Sequence, residues 1–508
     1  MKSNLGLASV LFLLATLLLK ISGMVRDIVI AYYFGDSYIA DAYLAAFIIP
    51  NMIILFFTTG MKNALVPSYI EAMTNKREHH HLNQVFSGTI VISLIISLLG
   101  AGLAKFYVPL LFPEFKPEAE HIAILITSIY FIAIFFIGMN AVLEALLDAE
   151  NKFSLSMVSQ IIVLMGLIFG AILFADQFSV YALAYGYLAG AVLSLLFKLG
   201  LLWKRKIPKV KVKLDLPEIK QFYIVFIPVA LTVAVGQINL AVDNVFASYF
   251  EEGAVTYVNY AKNLVHFPQA IFGVTIGTII FPILSKANAN NDKELFKRGI
   301  EQGLTTMFFI LLPAIVGMML LLPNIVELLY QRGRFGEEAT MATSQVGFLY
   351  FGSVLFFSLH NVINKGFYTL KKGHLIMMVG GLAILLNAGL NYLFTTFMGY
   401  RGIPLASSVM AFFYVGSCFI IFLKLVDGLK LKEIGLEYFK ITVATAFMAG
   451  AAVGVLHFIE SWGSLVQIII VAVIGAVVYL GCVILLKVET LSIFLNRLKK
   501  KKTSPGGS

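Results

Sequence analysis

Hydropathy along the chain runs in long apolar stretches broken by short polar ones. The stretches lie near 6–34, 38–62, 83–112, 119–147, 154–175 and 178–203, then 218–250, 254–285, 298–330, 341–369, 375–398 and 402–425, and finally 434–458 and 464–490. Each can hold the roughly 20 apolar residues that a helix needs to cross a bilayer. The pattern predicts an all-α polytopic membrane protein of about fourteen transmembrane helices. Its short connections leave no room for a soluble catalytic domain. The first stretch contains Lys20 and Arg26 and lacks a small-residue cleavage site, so it is expected to remain a helix rather than act as a signal peptide.

Composition agrees with that reading. Of 508 residues, 59% are hydrophobic and 13% charged, and mean hydropathy is +0.89. Soluble domains carry about 25% charged residues, so a soluble protein is excluded. The net charge of +10 would point to nucleic acid in a soluble chain. Here it reads instead as basic loops that fix orientation, and no nucleic-acid partner is expected. Lys76 and Arg77 follow the second stretch, Lys152 the fourth, and Lys204 to Lys213 the sixth. Lys286, Lys371, Lys424 and Lys499 with their basic neighbours follow the eighth, tenth, twelfth and fourteenth. Every even-numbered helix thus ends on the basic side, which predicts cytoplasmic termini at both ends.

The stretch 204–217 reads as a basic linker, either lying on anionic headgroups or forming a plain loop. His79–His81 falls in the loop after the second stretch, where solvation is expected over metal binding. Residues 491–508 read as a basic disordered tail. Cys418 and Cys482 lie in apolar runs and indicate no disulfide framework.

Two segments half a chain apart repeat. Asp27 to Phe34 reads DIVIAYYF, and Asp243 to Phe250 reads DNVFASYF. A short outer loop follows each, then a helix carrying Pro50 or Pro268, then a second proline, Pro67 or Pro282. The repeat divides the chain into a six-helix lobe over 1–203, a second over 218–425 and a further helix pair over 434–490. Two lobes around a central cavity are a transporter architecture.

Ionisable residues at bilayer depth are costly and mark pathways. The first helix carries Lys20, Arg26 and Asp27, with Lys20 and Asp27 two turns apart on nearly one face. Two cations against one acid leave positive charge for an anionic group such as a diphosphate; pairing at interface depth is the alternative. Asp41 opens the second helix, where it is either a cap or a functional group. Lys262, Asn263 and His266 share one helix and can add positive charge opposite the first. Asp243, Asn387, Asn391 and Ser407 offer a carboxylate and neutral oxygens of the kind sodium requires. Arg332 and Arg334 read as solvated outer-loop residues. No hydrolase, zinc-protease or nucleotide-binding motif occurs in a credible context, so no enzymatic activity is expected.

Several runs resemble the MurJ/MviN lipid II flippases, of the multidrug/oligosaccharidyl-lipid/polysaccharide exporter superfamily. They are KISGMVRDIVIAYYFG and ADAYLAAFIIPN between Lys20 and Asn51, then YAKNLVHFPQAIFGVTIGTIIFPILSK (260–286), LYQRGRF (329–335) and KGFYTLKKG (365–373). They occur in family order and together cover nearly the whole chain. The resemblance implies fourteen helices, two six-helix lobes and a carboxy-terminal pair that serves the lipid tail. It also implies a monomer in the bacterial inner membrane, surrounded by membrane lipids, that moves a lipid-linked peptidoglycan precursor outward by alternating access. No cofactor is implied beyond coupling to Na+ or membrane potential. The family's cavity cations fall on Lys20 and Arg26, its cavity acids on Asp27 and Asp41. Its proposed sodium site falls on Asp243, Asn387, Asn391 and Ser407.

The chain departs from the family at Ile54 and Thr59, where an arginine and an acid are usual, and at Asn263 and His266, where another such pair is usual. Lys262 is the expected substitute there. These departures leave open another lipid-linked polysaccharide or teichoic-type glycan as substrate. A cation-coupled drug exporter would want a net acidic cavity, which Lys20 and Arg26 oppose.

Overall fold

The computed structural model describes residues 18, 21–203, 208–211, 213–235 and 237–491. Lys20, residues 204–207 of the linker and nearly all of the basic tail lie outside these. The described chain is helical: α1 (residues 21–34), α2 (Tyr38–Ala46), α3 (Ile48–Thr74), α4 (Glu78–Leu111), α5 (Pro117–Ala149), α6 (Phe153–Phe178), α7 (Tyr181–Leu202), α8 (Leu216–Val235) and α9 (Ile238–Ala247). There follow α10 (Ala254–Val265), α11 (Phe267–Ala289), α12 (Lys293–Tyr330), α13 (Glu337–Thr369), α14 (Gly373–Met398), α15 (Gly402–Leu425), α16 (Leu431–Phe458) and α17 (Ser464–Leu485). Each apolar stretch of the sequence contains at least one of them.

Among the described residues, eleven helical stretches are long and apolar enough to cross a membrane, one of them the 53-residue stretch that contains both α14 and α15. Large apolar side chains point outward from the helices: Leu110 is 79% exposed, Phe397 80% and Leu485 81%. A protein solvated by water does not display such surfaces. This is a multi-pass membrane protein.

Breaks within single stretches account for part of the surplus of helices over those eleven, and α1, α8 and α9 for the rest. α2 and α3 part at Phe47, three residues before Pro50. Pro50 has no N–H to donate to the carbonyl of Ala46. The hydroxyl of Thr127 on α5 donates to that oxygen instead, at 3.2 Å. The corresponding break of the repeat falls at His266, two residues before Pro268.

Contacts divide the chain into two compact units. One covers Met1–Asn259 with Arg332–Ala339, the other Tyr260–Gln331 with Thr340–Ser508. This partition differs from the repeat, because α8 and α9 of the second half group with the first unit. The reason is visible along α8. It lies against α3 where Gly60 has no side chain: a Cβ there would come within 2.6 Å of Ala230 Cβ. It is also tied to α4 by Thr89 Oγ1 and Tyr223 Oη at 2.8 Å.

At the basic-loop end, the histidine run corrects the loop expectation. His79, His80 and His81 form the first turn of α4. His81 is buried, with Nδ1 2.7 Å from Glu218 Oε1 and Nε2 3.1 Å from Ser68 Oγ. His80 Nε2 lies 3.0 Å from Asp215 Oδ2, and Arg77 donates to Glu218 at 3.1 Å. The His80 bond, followed by the backbone N–H of Glu218, holds the Asp215 carboxyl below its ordinary range. The described linker backbone is fastened too: the N–H groups of Lys209, Lys211 and Asp215 donate to Asn83, Ser87 and Gln84 of α4. Its Lys209 and Lys211 side chains remain exposed.

In the second unit, α16 and α17 pack on α12. Tyr438 stacks on Phe308 with ring centroids 3.9 Å apart, and Tyr479 Oη donates to the Phe309 carbonyl at 2.7 Å. These bonds satisfy phenolic groups that lipid could not.

The tightest seam in the first unit joins α6 to α7. Gly166 and Gly170 face Gly186 and Gly190, so backbone meets backbone; a Cβ on Gly186 would sit 2.4 Å from the Gly166 carbonyl oxygen. Small residues four apart allow this approach. Gly186→Val is expected to lower stability by ~1–3 kcal/mol through overpacking, read as a lower thermal transition in detergent. At Gly200 an added Cβ meets nothing within 4 Å, so Gly200→Val serves as control. Equal transitions for the two variants would contradict this account of the seam.

Candidate functional site

Adjacent helical residues lie about 100° apart and do not ordinarily face each other. Arg26 reaches its neighbour because its long side chain folds back. Its Nε and Nη2 donate to Asp27 Oδ1 at 2.9 and 2.7 Å. Asp27 is buried, while the Arg26 side chain keeps 21% of its surface exposed. Tyr43 and Tyr130 lie within electrostatic reach of the guanidinium. Their hydroxyls meet at 2.6 Å, and Tyr187 packs on Tyr130 with centroids 5.0 Å apart. The guanidinium thus lies beside an acid and near aromatic side chains, with part of its surface open. Lys20, expected on the same face, lies outside the described residues.

Asp41 does not cap its own helix, whose N-cap is Ser37. It caps α10. Oδ2 accepts from the Gly253 N–H at 2.7 Å, and Oδ1 from the Thr256 N–H at 2.8 Å and the Thr256 hydroxyl at 2.6 Å. Gly253, at φ +95°, adopts a conformation other residues resist, and this aims its N–H at the carboxylate. Nearby, Tyr257 donates to Asp36 at 2.5 Å and the Tyr38 N–H to Glu252 at 2.7 Å. Arg334, read as a solvated loop residue, has an exposed side chain but a backbone N–H bonded to the Tyr32 carbonyl at 3.1 Å. The bonds of Asp36, Tyr38 and Asp41 tie the first outer loop and the start of α2 to the counterpart loop of the repeat and the start of α10.

The remaining expected residues separate by unit. Lys262 Nζ sits 5.6 Å from the Tyr350 ring centroid, a cation over an aromatic face. His266 Nδ1 lies 2.9 Å from the Lys262 carbonyl, and Asn263 is exposed. Asn387 and Asn391 are fully buried one turn apart on α14, which packs against α15 carrying the buried Ser407. Asp243, fully buried on α9, belongs to the first unit. Among the described residues no group of three or more His, Cys, Asp or Glu could hold a metal ion.

One charged cluster escaped the sequence reading. Lys62 on α3 lies 3.4 Å from Glu144 Oε2 and 3.2 Å from Asp148 Oδ2, both on α5. Lys198 on α7, fully buried, donates to Glu144 at 2.9 Å and to Asn140 Oδ1 at 2.6 Å. A signal was present: Asn140, Glu144 and Asp148 recur every fourth residue, a polar stripe down one face of an apolar helix.

The sequence matches the family described as lipid II flippase MurJ over residues 30–473. The chain belongs to the MurJ family. A probable lipid II flippase MurJ of Aquifex aeolicus is 30% identical over 418 residues, covering 80% of this chain and 82% of that relative. A solved structure of lipid II flippase MurJ in an inward closed conformation superposes with a TM-score of 0.79 at 25% identity, covering 96% of this chain and 99% of that one. An inward-facing multidrug resistance MATE transporter of the MOP superfamily has a TM-score of 0.65 at 15% identity, covering 82% and 98%. At that identity the likeness speaks for the fold alone.

Within the MurJ family the departures now have places. Ile54 is buried on α3, so no charge replaces the usual arginine there. Lys62 follows two turns later on the same helix, held by the acids of α5. Where the MurJ pattern usually has an arginine, Asn263 is exposed, while Lys262 beside it faces Tyr350.

Asp41→Ala should remove the cap on α10 and cost about 1–2 kcal/mol, read as a lower thermal transition. It should also raise the labelling rate of a cysteine placed at Glu252 by a membrane-impermeant maleimide. Unchanged labelling would detach Asp41 from closure of this end.

Proposed function

We propose that this transporter carries lipid II, an undecaprenyl-diphosphate-linked peptidoglycan precursor, from the inner to the outer leaflet of the bacterial cytoplasmic membrane by alternating access. The observation that carries the reading is the Arg26–Asp27 pair, its acid buried and its guanidinium partly open, in a chain of the MurJ family. A lone helix gains nothing from holding a guanidinium in hydrocarbon, whereas a diphosphate gains two charge-assisted bonds from it. In the resting state Asp27 occupies the guanidinium. An arriving diphosphate competes for it, with Lys20 and Lys262 adding positive charge.

Alternating access requires bonds that form in one state and break in another. Two sets in the first unit are assigned that part in this reading, each linking a first-half segment to a second-half one. Asp41 with Gly253 and Thr256 closes the outer-loop end. His81 with Glu218 closes the basic-loop end. A ligand bound equally in both states shifts neither. Coupling to Na+ or membrane potential therefore supplies the difference, with Asp243, Asn387, Asn391 and Ser407 as the sodium ligands. The chain works as a monomer without enzymatic activity, its termini cytoplasmic as the basic loops require.

A second reading has its own observation. Buried Ile54 and exposed Asn263 stand where the family usually places cations, which favours a different undecaprenyl-diphosphate-linked glycan.

Expression in bacteria depleted of their own lipid II flippase tests the proposal. Wild type should restore growth and outer-leaflet lipid II, and a normally inserted Arg26→Ala should not. Failure of a well-inserted wild type would favour the other glycan. For the ion, adding NaCl in place of KCl should raise the thermal transition of wild type and leave Asn387→Ala unmoved. An equal response in both proteins would remove sodium from these residues.

A further inference from the structure

The cluster around Lys62 is assembled unevenly. Lys198 directs its ammonium at three acceptors: Asn140 Oδ1 at 2.6 Å, Glu144 Oε1 at 2.9 Å and Ser194 Oγ at 3.3 Å. Glu144 is likewise saturated. Oε1 also lies 3.3 Å from the Ser159 hydroxyl, whose proton goes to the Ser156 carbonyl at 2.6 Å, and Oε2 accepts from Gln160 at 2.9 Å and faces Lys62 at 3.4 Å. Removing either charge would leave the other buried and uncompensated. These two residues form a fixed centre.

Asp148 and Lys62 are bound differently. Asp148 Oδ2 holds Lys62 at 3.2 Å, but its Oδ1 is buried without a hydrogen-bond partner. The ordinary remedy for a buried orphan carboxylate oxygen is a proton. Asp148 sits in the last turn of α5, two residues before the exposed Glu150 and Lys152 pair of the basic-loop end, so water is near. Lys62 is the most exposed charge of the four, at 23%. Its other contacts are the Ser156 hydroxyl at 3.1 Å and Glu144, which Lys198 already neutralises. The groups facing Asp148 and Lys62 are thus Glu144 on α5, Lys198 on α7 and the neutral Ser156 and Gln160 on α6.

We propose that Asp148 accepts a proton from the basic-loop side and thereby releases Lys62 to bind an anionic group, so that proton uptake and anion capture are one event. The charge balance is simple. Two cations and two carboxylates sum to zero; a proton from water on Oδ1 leaves the cluster at plus one, and the anion offsets it. Lysine suits the task because its ammonium is a point charge on a flexible stem. Lys62 then supplies, two turns along α3, a cation that Ile54 does not. That the anion is a lipid diphosphate rests on the function proposed above; the proton site stands independently of it.

The test uses the full chain in detergent. Without ligand, an infrared pH-difference spectrum should show a protonated-carboxyl band that Asp148→Asn lacks and Asp148→Glu retains. With undecaprenyl diphosphate as probe, calorimetric titration in buffers of different ionisation enthalpy should show uptake of about one proton per lipid. Asp148→Asn should bind with no uptake and with affinity independent of pH. Lys62→Gln should bind on the order of tenfold more weakly. A band unaffected by Asp148→Asn, or proton uptake retained by that variant, overturns the proposal. A normal Asp148 band in a wild type that binds no undecaprenyl diphosphate at any pH refutes the proposed function and the coupling, while leaving the proton site in place.

Discussion

Hydrocarbon offers no hydrogen bonds, and each polar group within it must find its partner inside the protein. That constraint dictates helices for the backbone and then governs each departure from apolarity. Where Pro50 removes a backbone donor, Thr127 supplies one to Ala46. Where Tyr479 would bring a bare hydroxyl into lipid, the Phe309 carbonyl receives it. Arg26 is held by Asp27, and Lys198 by three acceptors. The chain tolerates these charges because each has its satisfaction built around it.

The same constraint explains why bonds between the two sequence halves concentrate at the helix ends. Asp41 and His81 lie near the ends of their helices, close to loops that carry exposed polar residues. Bonds between the halves thus sit near the rims, and the charge-saturated centre sits in the interior. Asp148 lies at the boundary between these two regimes.

Much of the fold was legible in the sequence, because hydropathy over twenty residues is a strong local signal and, among the described residues, each apolar stretch contains helix. Pro50 and Pro268 stand out in the sequence, but the pattern places each within one helix and does not announce the breaks between α2 and α3 and between α10 and α11. Nor were the partners legible. Asp41 reads as a cap from its position, but the helix it caps begins more than 200 residues later and no local pattern names it. The histidine run reads by composition as loop, although Glu78 and the apolar periodicity beyond it continue into α4. The Lys62 cluster draws on α3, α5 and α7, so only the four-residue stripe of Asn140, Glu144 and Asp148 announced it. Asp243 and the asparagines of α14 carry the right donor chemistry, but chemistry alone does not bring two segments together.

The glycine seam between α6 and α7 has a practical consequence for following the transport cycle. With backbone resting on backbone, there is no layer of side chains that could rearrange to let the two helices slide. A pair of spectroscopic labels, one on each helix, should hold a constant separation whatever the rest of the protein does. That pair is a built-in ruler, against which the displacement of any other helix can be measured without an external frame.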